Sequence, residues 1–161
     1  MSANLPSHSL KIALIHPQIA PNTGNVGRLC VATASELHLV RPLGFVLSDR
    51  NLKRSGMDYW PRLKLTLHDD QDAFFHSLGN SRPWLFTSKS SRNLWEANFQ
   101  AGDSLIFGSE THGLSDDLLQ RFSQQTVRIP QIDGERCLNL STAVGIGLYE
   151  ALRQVARTPL I

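Results

Sequence analysis

The chain has 161 residues, 41% hydrophobic and 19% charged, which is enough apolar material for one compact core and too little for two. Its formal net charge of +2 permits a nucleic-acid partner but falls short of the balance of a dedicated electrostatic binder. Cys30 and Cys137 form neither a metal-ligand spacing nor a redox pair, there is no signal-like N-terminus, and no stretch is apolar enough to span a bilayer; the expectation is one cytoplasmic domain over residues 1–161, with 1–9 as a flexible extension and no membrane partner.

Residues 10–15 form a short apolar run rich in β-formers and read as a buried first strand, with 16–24 as its exit loop. Val26, Leu29, Cys30 and Thr33 then fall at the spacing of one helix face, with Asn22 or Thr23 available as N-cap. Further strands are predicted over 37–40, 63–67, 83–87, 104–107 and 126–129. Ser115 followed by Asp116 and Asp117 marks the start of a short helix, because a capping hydroxyl and two acids complement unpaired amides and the helix dipole. The last helix, 140–157, carries a small-residue stripe of Ala143, Gly147, Ala151 and Val155 beside Val144, Leu148 and Leu152. Strands alternating with helices, and little hairpin chemistry, predict an α/β protein with a mainly parallel sheet and helices on both faces.

The stretch from Arg41 to Lys64 gathers Arg41, Arg50, Lys53, Arg54, Arg62 and Lys64 against Asp49 and Asp58. It is a candidate phosphate-facing surface or, equally, a solvated face. Three segments after strand ends are rich in Gly, Asn, Ser and Pro, which let backbone groups approach a ligand: 21–28, 107–114 and 129–141. In open α/β sheets ligands bind at the carboxyl ends of strands, so the three suggest one composite site. Gly24 and Gly27 do not make a dinucleotide fingerprint or a P-loop, and Gly108-Ser109-Glu110 is not a nucleophile elbow, which leaves Ser109 as a turn residue. The six histidines show no ligand spacing, so no metal is expected.

Together these motifs carry a resemblance. Pro-Asn-Thr-Gly-Asn with Gly-Arg at 21–28, Phe-Gly-Ser-Glu-Thr-His-Gly-Leu at 107–114, and Arg-Ile-Pro and Asn-Leu-Ser at 128–130 and 139–141 resemble the three motifs of SPOUT RNA ribose 2'-O-methyltransferases. The likeness is closest to the small TrmL-type enzymes that modify the tRNA wobble nucleotide, cytidine or a modified uridine at position 34, and it spans about residues 10–153. It implies a C-terminal deep trefoil knot, a rare exception to unknotted connections. It also implies S-adenosylmethionine bound mostly by main chain, at Phe86, Gly108, Ile129, Cys137 and Leu138.

For chemistry the resemblance nominates Arg28, either as base or as the group that orients the ribose hydroxyl and stabilises its developing charge. A guanidinium is a surprising base. A cation in the first turn of a helix would oppose its dipole, which favours a functional reading of Arg28 over a structural one. Asn139 and Ser141 match the third motif, where capping the last helix is the competing role. Tyr149 matches an aromatic near the substrate, although a core or interface tyrosine fits as well. Glu110 is expected to brace neighbouring loops. Asn22, Asn25, Arg50, Lys53 and Arg54 are the candidate RNA contacts. Cys137 and Ser109 depart from the family pattern, where serine and proline are common. A homodimer pairing first and last helices is implied, with the stripe Ala143, Gly147 and Ala151 permitting close approach or packing internally. The alternatives are a SPOUT enzyme acting on rRNA or another tRNA position, and a catalytically silent RNA-binding knot protein.

Overall fold

A computed structural model describes residues 4–48 and 58–157. Strands β1 (Lys11–Ile15), β2 (Glu36–Val40), β3 (Leu65–His68), β4 (Pro83–Phe86), β5 (Ser104–Phe107) and β6 (Thr126–Val127) form one sheet in the order β3-β2-β1-β5-β4-β6. Every pairing is parallel, with Lys11 opposite both Glu36 and Ser104. The helices are α1 (Ala20–Thr33), α2 (Gln71–Ser77), α3 (Asp116–Arg121) and α4 (Leu140–Arg157), joined by short 3-10 turns. This is the expected α/β architecture.

The central strands β1 and β5 are buried almost throughout because both faces of a parallel sheet are covered there, while the edge strand β3 exposes Thr66 and Leu67. On one face Ile12, Leu14, Leu37, Leu39, Leu105 and Phe107 pack with Val26 and Cys30 of α1 and Val144, Leu148 and Leu152 of α4. On the other, Ala13, Ile15, Val40, Leu85 and Ile106 meet Phe74 of α2 and Leu118 of α3. Adjacent residues of one strand thus serve opposite cores, as a period of two requires.

The short helices are fixed by their caps. Asp70 accepts from the Ala73 amide at 2.8 Å, and Ser115 accepts from the Leu118 amide at 3.3 Å. Helix α1 departs from expectation: it starts at Ala20, with Pro21 in its first turn and Ile19 as N-cap, and neither Asn22 nor Thr23 caps it. Proline suits that position because its missing amide would be unpaired there anyway. Residues 20–24, expected in the exit loop of β1, are therefore helical, and so is the whole segment 21–28.

β1 and β4 are each one residue shorter than expected, and β3 and β6 depart further. β3 begins at Leu65, and β6 spans two residues, extended only by the isolated parallel bridge of Arg128 with Asn93. His8 and Ser9, expected in the loose extension, are tied down by hydrogen bonds to the carbonyls of Thr33 and Ala101, both 2.8 Å. Gly147 and Ala151 are buried, and a Cβ on Gly147 would come within 2.7 Å of the Phe86 ring. That part of the stripe therefore packs against the chain's own sheet. Among the described residues no helix is long and apolar enough to cross a membrane.

Candidate active site

At the carboxyl ends of β4 and β5 lies a pocket of about 490 Å³. Phe86 and Thr87 from the end of β4, residues 107–114 after β5, and Ile129, Gln131 and 137–140 line it, with Ile19 and Asn22 of the α1 entrance closing one side. Phe86 stacks on Phe107 with centroids 4.4 Å apart, so this wall continues directly into the core. Gly108 is required by its surroundings: a Cβ there would lie 2.1 Å from the Gly113 carbonyl carbon and 2.4 Å from the Leu114 nitrogen. Backbone presses on backbone at this point, and no side chain can be accommodated. Ser109 is the turn residue expected, its hydroxyl accepting from the His112 amide at 3.1 Å.

Hydrogen bonds join the three sequence motifs. The Glu110 carboxylate accepts from the backbone amides of Gln18 at 2.8 Å and Ile19 at 3.1 Å, and from Asn22 Nδ2 at 3.3 Å. It does for α1 what the N-cap side chain does not, and it places a negative charge where the dipole favours one. Asn22 Oδ1 in turn accepts from Asn139 Nδ2 at 3.0 Å. Asn139 Oδ1 accepts from the Ser141 amide at 2.9 Å, the Ser141 hydroxyl at 2.6 Å and the Thr142 amide at 3.4 Å. Asn139 thus caps α4 while its amide nitrogen holds α1, so capping and placement coexist in one side chain.

The expected site residues divide into two groups. Phe86, Gly108, Ile129, Cys137, Leu138, Asn139 and Asn22 all line the pocket. Arg28, Asn25, Ser141 and Tyr149 do not. Arg28 and Asn25 share an exposed face of α1, and Tyr149 is 53% exposed on α4. Arg28 is the ninth residue of a 14-residue helix, so the argument from an opposed dipole does not apply to it. Among the described residues no carboxylate lies within ion-pair distance of Arg28. Arg50, Lys53 and Arg54 fall outside the described residues. Of their basic neighbours, Arg41 pairs with Asp69 at 3.1 Å, and Arg62 and Lys64 are exposed.

Tyr59 was not singled out from sequence. Its hydroxyl donates to the Gly24 carbonyl inside α1; burial pushes its phenol up, and the nearby Arg28 charge opposes that shift. The Trp60 ring lies over Gly27, where a Cβ would approach it to 3.0 Å. Gly27 thus lets the Trp60 ring reach the helix, and Gly24 offers its carbonyl to Tyr59. An adjacent pair of aromatics inside the basic segment 41–64 was the available signal. Among the described residues no three His, Cys, Asp or Glu side chains gather as metal ligands would.

A doubly covered parallel sheet with a pocket of apolar side chains and main chain at its carboxyl edge defines an α/β protein built to hold a small, largely neutral ligand. The SpoU rRNA Methylase family matches residues 9–149. A tRNA (cytidine(34)-2'-O)-methyltransferase from Burkholderia ambifaria is 44% identical over 146 residues, covering 89% of this chain and 94% of the relative. A solved structure concerned with the 2-OH methylation of C/U34 on tRNA is 46% identical, with a TM-score of 0.86 over 92% of this chain and 97% of that one. The SpoU methyltransferase AviRb from Streptomyces viridochromogenes, solved with AdoMet, shares the fold at 19% identity and a TM-score of 0.77, over 94% of this chain and 59% of its own. The chain belongs to the SpoU rRNA methylase family.

Proposed function

We propose that this chain transfers a methyl group from S-adenosylmethionine to the ribose 2'-oxygen of the wobble nucleotide, cytidine or modified uridine 34, of a tRNA. The observation that carries the reading is the meeting of Phe86, Gly108, Ile129, Cys137 and Leu138 in one pocket, joined through Glu110, Asn22 and Asn139 to the helix that bears Arg28. The activity named for the Burkholderia relative supports the substrate. The pocket fits the donor: its volume is that of small-molecule sites, and Phe86, Ile129 and Leu138 offer apolar surface to a purine.

When bound, the donor supplies an electrophilic methyl on a sulfonium. The chain's own part is alignment and electrostatics. Arg28 holds the ribose hydroxyl and stabilises the charge that grows on its oxygen, with the proton leaving to RNA phosphate or water, since a guanidinium gives up its own proton reluctantly. Asn139 and Ser141 fix the turn that presents Leu138. Asn25 lies beside Arg28 for RNA contact, with Arg50, Lys53 and Arg54 as further contacts. The deep trefoil knot and a homodimer belong to the same proposal, with the exposed Ile146 and Tyr149 of α4 facing the second copy and its RNA. A monomer by sedimentation at working concentration removes the dimer.

Incubation with labelled S-adenosylmethionine and unmodified bulk tRNA, followed by digestion, should yield a 2'-O-methyl nucleoside from position 34. Methylation of rRNA alone would move the substrate, and donor binding without transfer would mean a silent protein. No donor binding at all would sink the reading. Arg28→Ala should abolish transfer and change donor affinity by less than about twofold; parallel loss of both contradicts its role.

A further inference from the structure

Lys89 is the only lysine or arginine among the described residues lining the pocket. It stands three residues past the end of β4, and its backbone amide donates to Thr87 Oγ1 at 3.2 Å. Its Nζ donates to Asp116 Oδ1, the first residue of α3, at 2.7 Å. The pair therefore links the exit of β4 to the segment after β5, two sides of the same pocket.

The side chains of this pair are 64% and 85% exposed, and an ion pair so placed is weak in water. Its consequence is positional: Lys89 is held at the pocket with one of its three donors used. The carboxylate of Glu110, also in the lining, is engaged through both oxygens by the α1 entrance. The rest of the lining is main chain, hydroxyl, amide, imidazole, thiol or hydrocarbon. A ligand with a neutral nucleoside half and an anionic end would find its charge matched at Lys89.

We infer that Lys89, steadied by Asp116, is the anion subsite of the pocket and receives the α-carboxylate of the methyl donor. This rests on the proposed function, since it assigns one end of that donor to a residue. A carboxylate is the only anionic group of S-adenosylmethionine and of its product, and an ammonium meets it as a charge-assisted donor.

The test is calorimetric binding of two ligands to wild type and Lys89→Met. S-adenosylhomocysteine carries the amino-acid end; 5'-deoxy-5'-methylthioadenosine is the same nucleoside thioether without it. Lys89→Met should weaken S-adenosylhomocysteine about tenfold and methylthioadenosine less than about twofold. Lys89→Arg keeps the cation and should restore most of the difference. Equal losses for both ligands overturn the assignment, as does no loss for either, or a Lys89→Arg variant as weak as Lys89→Met. Unchanged S-adenosylhomocysteine affinity with a raised KM for tRNA would assign Lys89 to an RNA phosphate instead. Wild type binding neither ligand is a distinct outcome, for it removes the proposed function and this inference with it.

Discussion

Replacing Glu110 by alanine removes the carboxylate on which the entrance of α1 depends. Ile19 has no side-chain cap to offer, and Glu110 accepts from Gln18, Ile19 and Asn22 at 2.8, 3.1 and 3.3 Å. Loss of an N-cap costs about 0.5–2 kcal/mol, and a hydrogen bond to a charged acceptor contributes about 1.5–3 kcal/mol. The three bonds share one carboxylate at a partly exposed position, so they do not add; a loss of about 2–3 kcal/mol follows. In a chain of this size each kcal/mol moves Tm by about 2–4 °C, so scanning calorimetry should find Glu110→Ala melting about 5–10 °C lower. Glu110→Gln keeps one acceptor oxygen and should recover about half of the loss. Asn22→Ala combined with Glu110→Ala should show a coupling of about 0.5–1.5 kcal/mol. A Tm within about 1 °C of wild type, or strict additivity with Asn22→Ala, would refute the idea that this carboxylate holds the helix.

His38 and His68 give a pH dependence. Their rings are buried and joined Nδ1 to Nε2 at 2.9 Å. Burial lowers His38 below the ordinary histidine value, the Glu36 hydrogen bond opposes this and His68 adds to it, while burial lowers His68. The unfolded chain therefore binds these protons first: their contribution is full above about pH 6.5 and is lost as pH falls below that toward the native values. Tm should drop between about pH 7.5 and about pH 5, and a His38→Leu/His68→Phe variant should flatten the slope; an unchanged slope places the titration elsewhere. The cysteines should separate by reactivity. Cys30, its thiol pushed up to about 12 by burial, should stay inert to a disulfide reagent in the native protein at about pH 8. Cys137, exposed and lining the pocket, should react, and S-adenosylhomocysteine should slow it. A fast phase surviving Cys137→Ser would contradict this.

Much of the scaffold is legible in the sequence because its causes are local. Residues 12–15 and 105–107 are apolar at consecutive positions, and so short a run bounded by turn residues fits a strand buried on both faces. Ser115 with two following acids announces α3, and the spacing of Val144, Leu148 and Leu152 announces α4. The start of α1 was misplaced for an equally physical reason. Its cap comes from Glu110, about ninety positions later in the chain, so Asn22 and Thr23 looked like the only candidates.

The site shows the same division more sharply. The resemblance of the three motifs to a known family nominated Phe86, Gly108, Ile129, Cys137 and Leu138, and their glycine and apolar character beside strand ends suits a neutral ligand held by main chain. Tertiary structure alone decided that Asn139 reaches across 117 positions to Asn22, that Gly108 is pinned by Gly113, and that Lys89 stands as the one cationic side chain lining the pocket among the described residues. Burial patterns repeat along the chain and can be read from it. Contacts between the ends of different strands have no period, and they exist only once the sheet has set those ends side by side.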